Sequence, residues 1–282
     1  MKLKKPLLFF LLLHLLVLPV CVSAAPAAAT DLKTLVTRSQ SKMLALQNYH
    51  MTLQTTIASA VQGQDFRTLT TGEFDLQQKP LLVQGDLTVS VNFAGKAFNQ
   101  SVSQYMEESG NQLTVYSKVN ETWTRQQMPF KYNPVQDYQD YIGAIKSLAV
   151  KSETDQQLVL EVVATGDAIK ERLARSFDSM NAFFPAGFKR PPDFFANIGD
   201  MAYTMTIDKK SGLVLEMNID VSNLMSSVGV TLVESMETLP AEQKQVLAKI
   251  FTQMKMTTTI SFSQFNTTDP VIIPEEARNP AP

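Results

Sequence analysis

Leu81-Leu82-Val83-Gln84-Gly85-Asp86-Leu87-Thr88-Val89-Ser90-Val91-Asn92-Phe93 is the stretch on which the reading of this chain turns. Leu81, Val83, Leu87, Val89, Val91 and Phe93 fall on one side, and Gln84, Asp86, Thr88, Ser90 and Asn92 on the other. That period of two makes a strand with one apolar and one polar face. The same alternation occurs upstream, where Tyr49, Met51, Leu53, Thr55 and Ile57 oppose His50, Thr52, Gln54 and Thr56. Downstream, Phe98, Val102 and Met106 oppose Asn99, Ser101 and Ser103, and shorter runs follow at 113–119 and 122–128. Lys79-Pro80, Ala94-Gly95, Ser109-Gly110-Asn111 and Val119-Asn120 supply turns between them. Strands joined by turns this short pair antiparallel, so the region reads as a meander.

Helical signals flank the meander. Residues 31–48 carry Leu32, Leu35, Val36, Ser39, Met43 and Leu46 at spacings of three and four. Asn133-Pro134-Val135-Gln136 has the N-cap, first-turn proline and third-position Gln of a helix start, and Val135, Tyr138, Ile142, Ile145 and Leu148 extend it as a stripe. A strand is expected near 157–163. Asp167 then caps a helix with Ile169, Leu173, Phe177 and Met180 on one side. Met201, Tyr203, Met205 and Ile207 begin a hairpin whose turn is Asp208-Lys209-Lys210-Ser211-Gly212, and Leu213, Leu215, Met217, Ile219 and Val221 return. Residues 224–237 fit either helix or loop. Pro240 opens a helix bearing Val246, Leu247, Ile250, Phe251 and Met254; Met256, Thr258, Ile260 and Phe262 make a last strand before a Pro-rich tail.

The N-terminus reads as an export signal. Lys2, Lys4 and Lys5 precede an apolar run from Leu7 to Val22, and Val22-Ser23-Ala24 offers a small-x-small cleavage site. The expected organisation is a signal peptide at 1–24, a spacer at 25–30, one domain at 31–268 and a tail at 269–282. Cys21 has a second reading as a lipidated cysteine, which Val20 after Pro19 fits less well. The expected location is the periplasm or the outer face of the envelope, with a membrane tether as the variant.

Composition then narrows the chemistry. The chain has 282 residues, 44% hydrophobic and 18% charged, with 11 Gly and 14 Pro, which suits a globular fold. Removing residues 1–24 takes away three lysines, leaving 22 basic against 27 acidic residues and a net charge of −5. Nucleic acid is not the partner such a balance suggests. The only Cys, Cys21, and one of the two His, His14, leave with the signal, so His50 is the one remaining imidazole. Disulfides, Cys nucleophiles and His- or Cys-rich metal sites are excluded by count. A Ser-His-Asp triad would have to use His50, and no carboxylate pair stands out as acid and base. The expectation is a protein that is not an enzyme and uses no cofactor and no metal.

Three stretches resemble a known family: Ala45-Leu46-Gln47-Asn48-Tyr49, Ile207-Asp208-Lys209-Lys210-Ser211-Gly212-Leu213, and Ser261-Phe262-Ser263-Gln264-Phe265-Asn266 running on to Asp269-Pro270 and Ile273-Pro274-Glu275-Glu276. With the order of elements, they make the chain resemble the LolA-like superfamily of exported carriers, which includes the lipoprotein carrier LolA and the mycobacterial lipid carriers LppX and LprG. The resemblance implies an α+β fold: a strongly curved antiparallel sheet, or half-open barrel, with helices covering its concave face. It also implies a hydrophobic ligand between them.

The expected ligand-binding residues follow from the one-faced strands: Met51, Leu53 and Ile57; Leu87, Val89 and Val91; Tyr203, Met205 and Ile207; and Met217. Met51, Met106, Met205, Met217 and Met256 all lie in expected strands, and flexible, polarisable thioethers suit a pocket that repacks around acyl chains. Residues 183–195 hold Phe183, Phe184, Phe188, Phe194 and Phe195 among three prolines and a glycine, a composition that excludes regular structure. These rings are expected to cover the mouth of the cavity or touch a membrane or partner, beside Lys189 and Arg190, or else to pack onto the open barrel edge as ordinary core. Lys170, Arg172 and Arg175 precede them and fit a solvated helix face. The expected partner is a lipid, acyl chain or lipidated peptide; the alternative is an envelope interaction, sensing or scaffolding module with a filled core.

Overall fold

The computed structural model describes residues 32–61, 64–93, 95–129, 143–179, 194–236 and 239–279. Eleven strands form one sheet: β1 (Asn48–Val61), β2 (Gln64–Gln78), β3 (Leu81–Phe93), β4 (Lys96–Ser109), β5 (Gln112–Val119), β6 (Thr122–Pro129), β7 (Ile145–Glu153), β8 (Gln157–Ala164), β9 (Met201–Asp208), β10 (Val214–Asp220) and β11 (Lys255–Ser263). Five helices accompany them among the described residues: α1 (Leu32–Ala45), α2 (Gly166–Ser179), α3 (Ser222–Ser235), α4 (Ala241–Gln253) and the single turn α5 (Glu275–Arg278). The fold is α+β.

The strand order is β6-β5-β4-β3-β2-β1-β11-β10-β9-β8-β7, and every neighbouring pair is antiparallel. Strands consecutive in sequence pair throughout except β6 and β7, and the first and last strands, β1 and β11, join the two halves of the sheet. Consecutive strands β6 and β7 are the two edges of the open sheet.

The expected turns hold their chemistry. Gly110 and Gly212 take positive φ, 60° and 72°, where a side chain would be strained. Asp208 Oδ1 accepts hydrogen bonds from both the Ser211 amide and its hydroxyl at 2.6 Å, which fixes the β9–β10 turn. Lys42 of α1 donates to the Ser211 carbonyl, tying the first helix to that turn.

Several expectations are corrected. Ile145 and Leu148 do not continue a helix from Asn133; they lie in β7, while 130–142 is outside the described residues. Residues 64–78, where no element was expected, form the longest strand, β2. Of the segment that fits either helix or loop, residues 224–235 are helical, within α3. The tail is partly ordered: Val271, Ile273 and Ala277 are buried, and Ile273 and Ala277 pack with Tyr116 on the polar face of the sheet. Arg278 seals that contact through Glu107 at 3.0 Å.

Candidate functional site

Strand register assembles the expected site residues on one face. A row across eight strands runs Leu160, Met205, Met217, Ile260, Leu53, Gly72, Leu87, Val102. Beside it lie Val162, Tyr203, Ile219, Thr258, Thr55, Thr70 and Val89. Met51 and Ile57 flank Leu53 at the same parity, and Ile207 pairs with both Leu158 and Val214. Ten of the expected residues therefore share this surface. Nine are buried, and Val91 is half-buried.

The five methionines named from the sequence are buried in the same apolar cluster. Met205 faces Met217 directly across β9 and β10, and Met43 of α1 joins the cluster. Thioethers thus line the face on both sides of the β1–β11 junction.

Side chains from three helices or their ends meet this cluster. Val36, Met43 and Leu44 of α1 belong to the cluster, and Leu224 and Met225 of α3 pack against it with Met254, just after α4. In the α3–α4 pair, a Cβ on Gly229 would lie 2.1 Å from the Phe251 ring, so only glycine permits this approach. Ser59 of β1 donates to the Ile250 carbonyl of α4 at 3.2 Å. None of α4's residues is buried, and its apolar Val246 is exposed.

Strands β1–β4 outrun their neighbours. Pairing with β11 stops at Ala58, and pairing of β4 with β5 reaches only Ser103. The tips of the β1–β2 and β3–β4 hairpins therefore project. Val91 pairs with Phe98, and Phe93 packs edge-on to Phe66 with centroids 6.4 Å apart. All four side chains continue the apolar face, yet Phe93 is 42% and Phe98 49% exposed. One surface thus passes from buried to open along the same strands.

Phe194 and Phe195 pack edge-to-face at 5.0 Å and, with Ile198, form a separate cluster against Leu173 of α2 and Val228 and Leu232 of α3. Phe183, Phe184 and Phe188, with Lys189 and Arg190, lie outside the described residues. Lys170 pairs with Asp167 at 3.1 Å, whereas the side chains of Arg172 and Arg175 are also outside them.

On the polar face, the described residues include one arrangement that resembles part of a hydrolytic triad. His50 lies between Asp75 and Ser263 in register, and its Nδ1 is 2.9 Å from Asp75 Oδ1. No hydrogen bond joins the ring to Ser263, which is exposed. A base activates a nucleophile through such a contact, and Ser263 does not make it here. Sequence reading identified His50 but not its partner, because Asp75 sits in the strand that was not expected. Among the described residues, no group of three His, Cys, Asp or Glu is placed to hold a metal ion, and no helix is long and apolar enough to cross a membrane.

A search of the curated proteins returned no match. The model of the family of unknown function DUF6612 matches residues 31–282, and this chain belongs to that family.

Proposed function

We propose that the protein is an exported, non-enzymatic carrier of LolA-like architecture that holds a lipid, acyl chain or lipidated peptide against the apolar face of its sheet. In this reading the sheet curves into a half-open barrel, and α1, α3 and α4 cover its concave side. The observation that carries it is the continuity of one methionine-rich face from a buried centre to the exposed Phe93 and Phe98. A hydrophobic ligand entering at the projecting hairpins would meet apolar groups along its whole path, and leaving water would drive it inward. The test is titration of the purified protein with a fluorescent acyl-chain probe. Saturable binding is expected, with slower uptake and unchanged stability in the double variant Phe93→Ser, Phe98→Ser. No binding of any acyl probe would overturn the reading.

One observation favours the alternative, an envelope interaction module with a filled core. Leu160, Met205 and Ile260 at the centre of the face are wholly buried. Under that reading, no hydrophobic molecule accompanies the purified protein.

A further inference from the structure

The buried polar residues of the described chain have a common character. They are Ser39, Gln40, Ser41, Thr55, Thr68, Thr70, Gln104, Thr114, Ser117, Ser222 and Thr258, and not one is charged. Two local hydrogen bonds link part of this set: Thr55 to Thr258 at 3.0 Å, and Gln104 to Ser117 at 3.1 Å. Thr55 and Thr258 are register neighbours in the middle of the apolar face, with Thr70 next in the row.

Ser39 is different. It stands on α1 at the three- and four-residue spacing that joins Val36 to Met43, both members of the apolar cluster. At that position a helix packed on a sheet calls for an apolar side chain. Ser39 is 1% exposed and its hydroxyl has no hydrogen-bond partner among the described residues. Burying a hydroxyl unpaired is costly, so the arrangement is explained if the missing partner comes from outside the chain.

Resting on the carrier reading, we propose that the ligand's enclosed part is an uncharged lipid with ester or hydroxyl oxygens, of the acylglycerol type, and that the Ser39 hydroxyl hydrogen-bonds one of those oxygens. Neutral hydroxyls and amides can satisfy a carbonyl or hydroxyl group. They cannot balance a carboxylate or phosphate brought out of water, which needs a cation or several donors. The charged side chains of α1 are consistent with this choice: Lys33, Arg38 and Lys42 are all exposed, and Lys42, three residues on from Ser39, donates to the Ser211 carbonyl.

The test uses the purified protein and three fluorescent probes of equal chain length: a diacylglycerol, a fatty acid ionised at pH 8, and a plain hydrocarbon. The diacylglycerol is expected to bind about tenfold or more tighter than the carboxylate, because the latter loses its hydration without a counter-ion. Ser39→Ala is expected to weaken diacylglycerol binding about two- to tenfold, the range of one neutral hydrogen bond. The same variant should leave hydrocarbon binding unchanged and the unliganded protein as stable as before or slightly more so. A carboxylate that binds as tightly as the diacylglycerol would overturn the proposal, and so would Ser39→Ala without effect on diacylglycerol affinity. If the hydrocarbon binds and the diacylglycerol gains nothing over it, this proposal fails while the carrier reading stands. If none of the three binds, both fail.

Discussion

Phe74 lies across Gly85 so closely that a Cβ added to the glycine would sit 2.1 Å from Phe74 Cδ1. The same ring covers Gly72, where an added Cβ would be 2.7 Å from it. Gly85 faces Phe74 directly across β2 and β3, while Gly72 precedes it by two residues on the same face. Two glycines and one aromatic ring thus fill a place where side chains would otherwise stand, and strand glycines mark such close approaches. Gly85→Ala is expected to destabilise the protein by about 1–3 kcal/mol through overpacking. The urea midpoint measures it, and Phe74→Leu in the same chain should recover part of the loss. A Gly85→Ala variant as stable as the parent would contradict this packing.

Met205 is wholly buried between Leu160 and Met217. Truncation to Ala removes most of the side chain from a site with little room to relax, at an expected cost of about 2–5 kcal/mol. Met205→Leu keeps the volume and should cost less than about 1.5 kcal/mol. If thioether flexibility matters for binding, Met205→Leu will narrow the range of acyl-chain lengths accepted while sparing stability. Probes of graded chain length read this directly.

The C-terminal segment offers a control for which face is functional. Val271 is buried; Ile273 and the fully buried Ala277 pack with Tyr116, and Arg278 meets Glu107 beside it, away from the apolar face. Ending the chain at Asp269 should lower stability by about 3 kcal/mol, the transfer value of one or two such side chains. Acyl-probe affinity at a temperature where the shortened protein stays folded should be unchanged. Loss of binding there would place the ligand on the other face.

Hydrogen bonding from Ser222 holds the Asp220 carboxyl below its usual range, against partial burial that pushes it up. The amide of Ser222 donates to Asp220 Oδ1 at 2.8 Å, at the junction of β10 and α3. A carboxylate with a depressed native value contributes stability above its unfolded value of about 3.9, and that contribution is lost as pH falls through the native value. Asp220→Asn should therefore lower stability at pH 7 and flatten its decline in acid. Parallel acid-unfolding curves for parent and variant would contradict this.

The sequence displays the alternation of β1, β3, β4 and β9 openly, and the placement of ten expected residues on one face follows from parity alone. What it hides has physical causes. In β2 the inward positions are Phe66, Thr68, Thr70, Gly72, Phe74 and Leu76, so threonine and glycine blur the contrast between faces. In β7 the register shifts between Ile145 and Ser147 and again between Val150 and Ser152. Each bulge turns a spacing of two into three, so Ile145 and Leu148 imitate a helix. In α3, Val228, Val230, Thr231 and Val233 favour a strand by propensity, and tertiary packing of Gly229 against Phe251 overrides it. The Phe-rich composition announced an irregular segment, but it could not say that Phe194 and Phe195 would pack between α2 and α3. Ser39 was visible as a member of the α1 stripe, but its unpaired hydroxyl is a property of the packed interior.

Native mass spectrometry of the protein purified from its own host, with organic extraction of the same sample, tests the carrier account most directly. The account predicts a mass above that of the polypeptide which collapses to it on extraction, with an uncharged, ester-bearing lipid in the organic phase. A single species at the polypeptide mass, with an organic phase free of lipid, would contradict it.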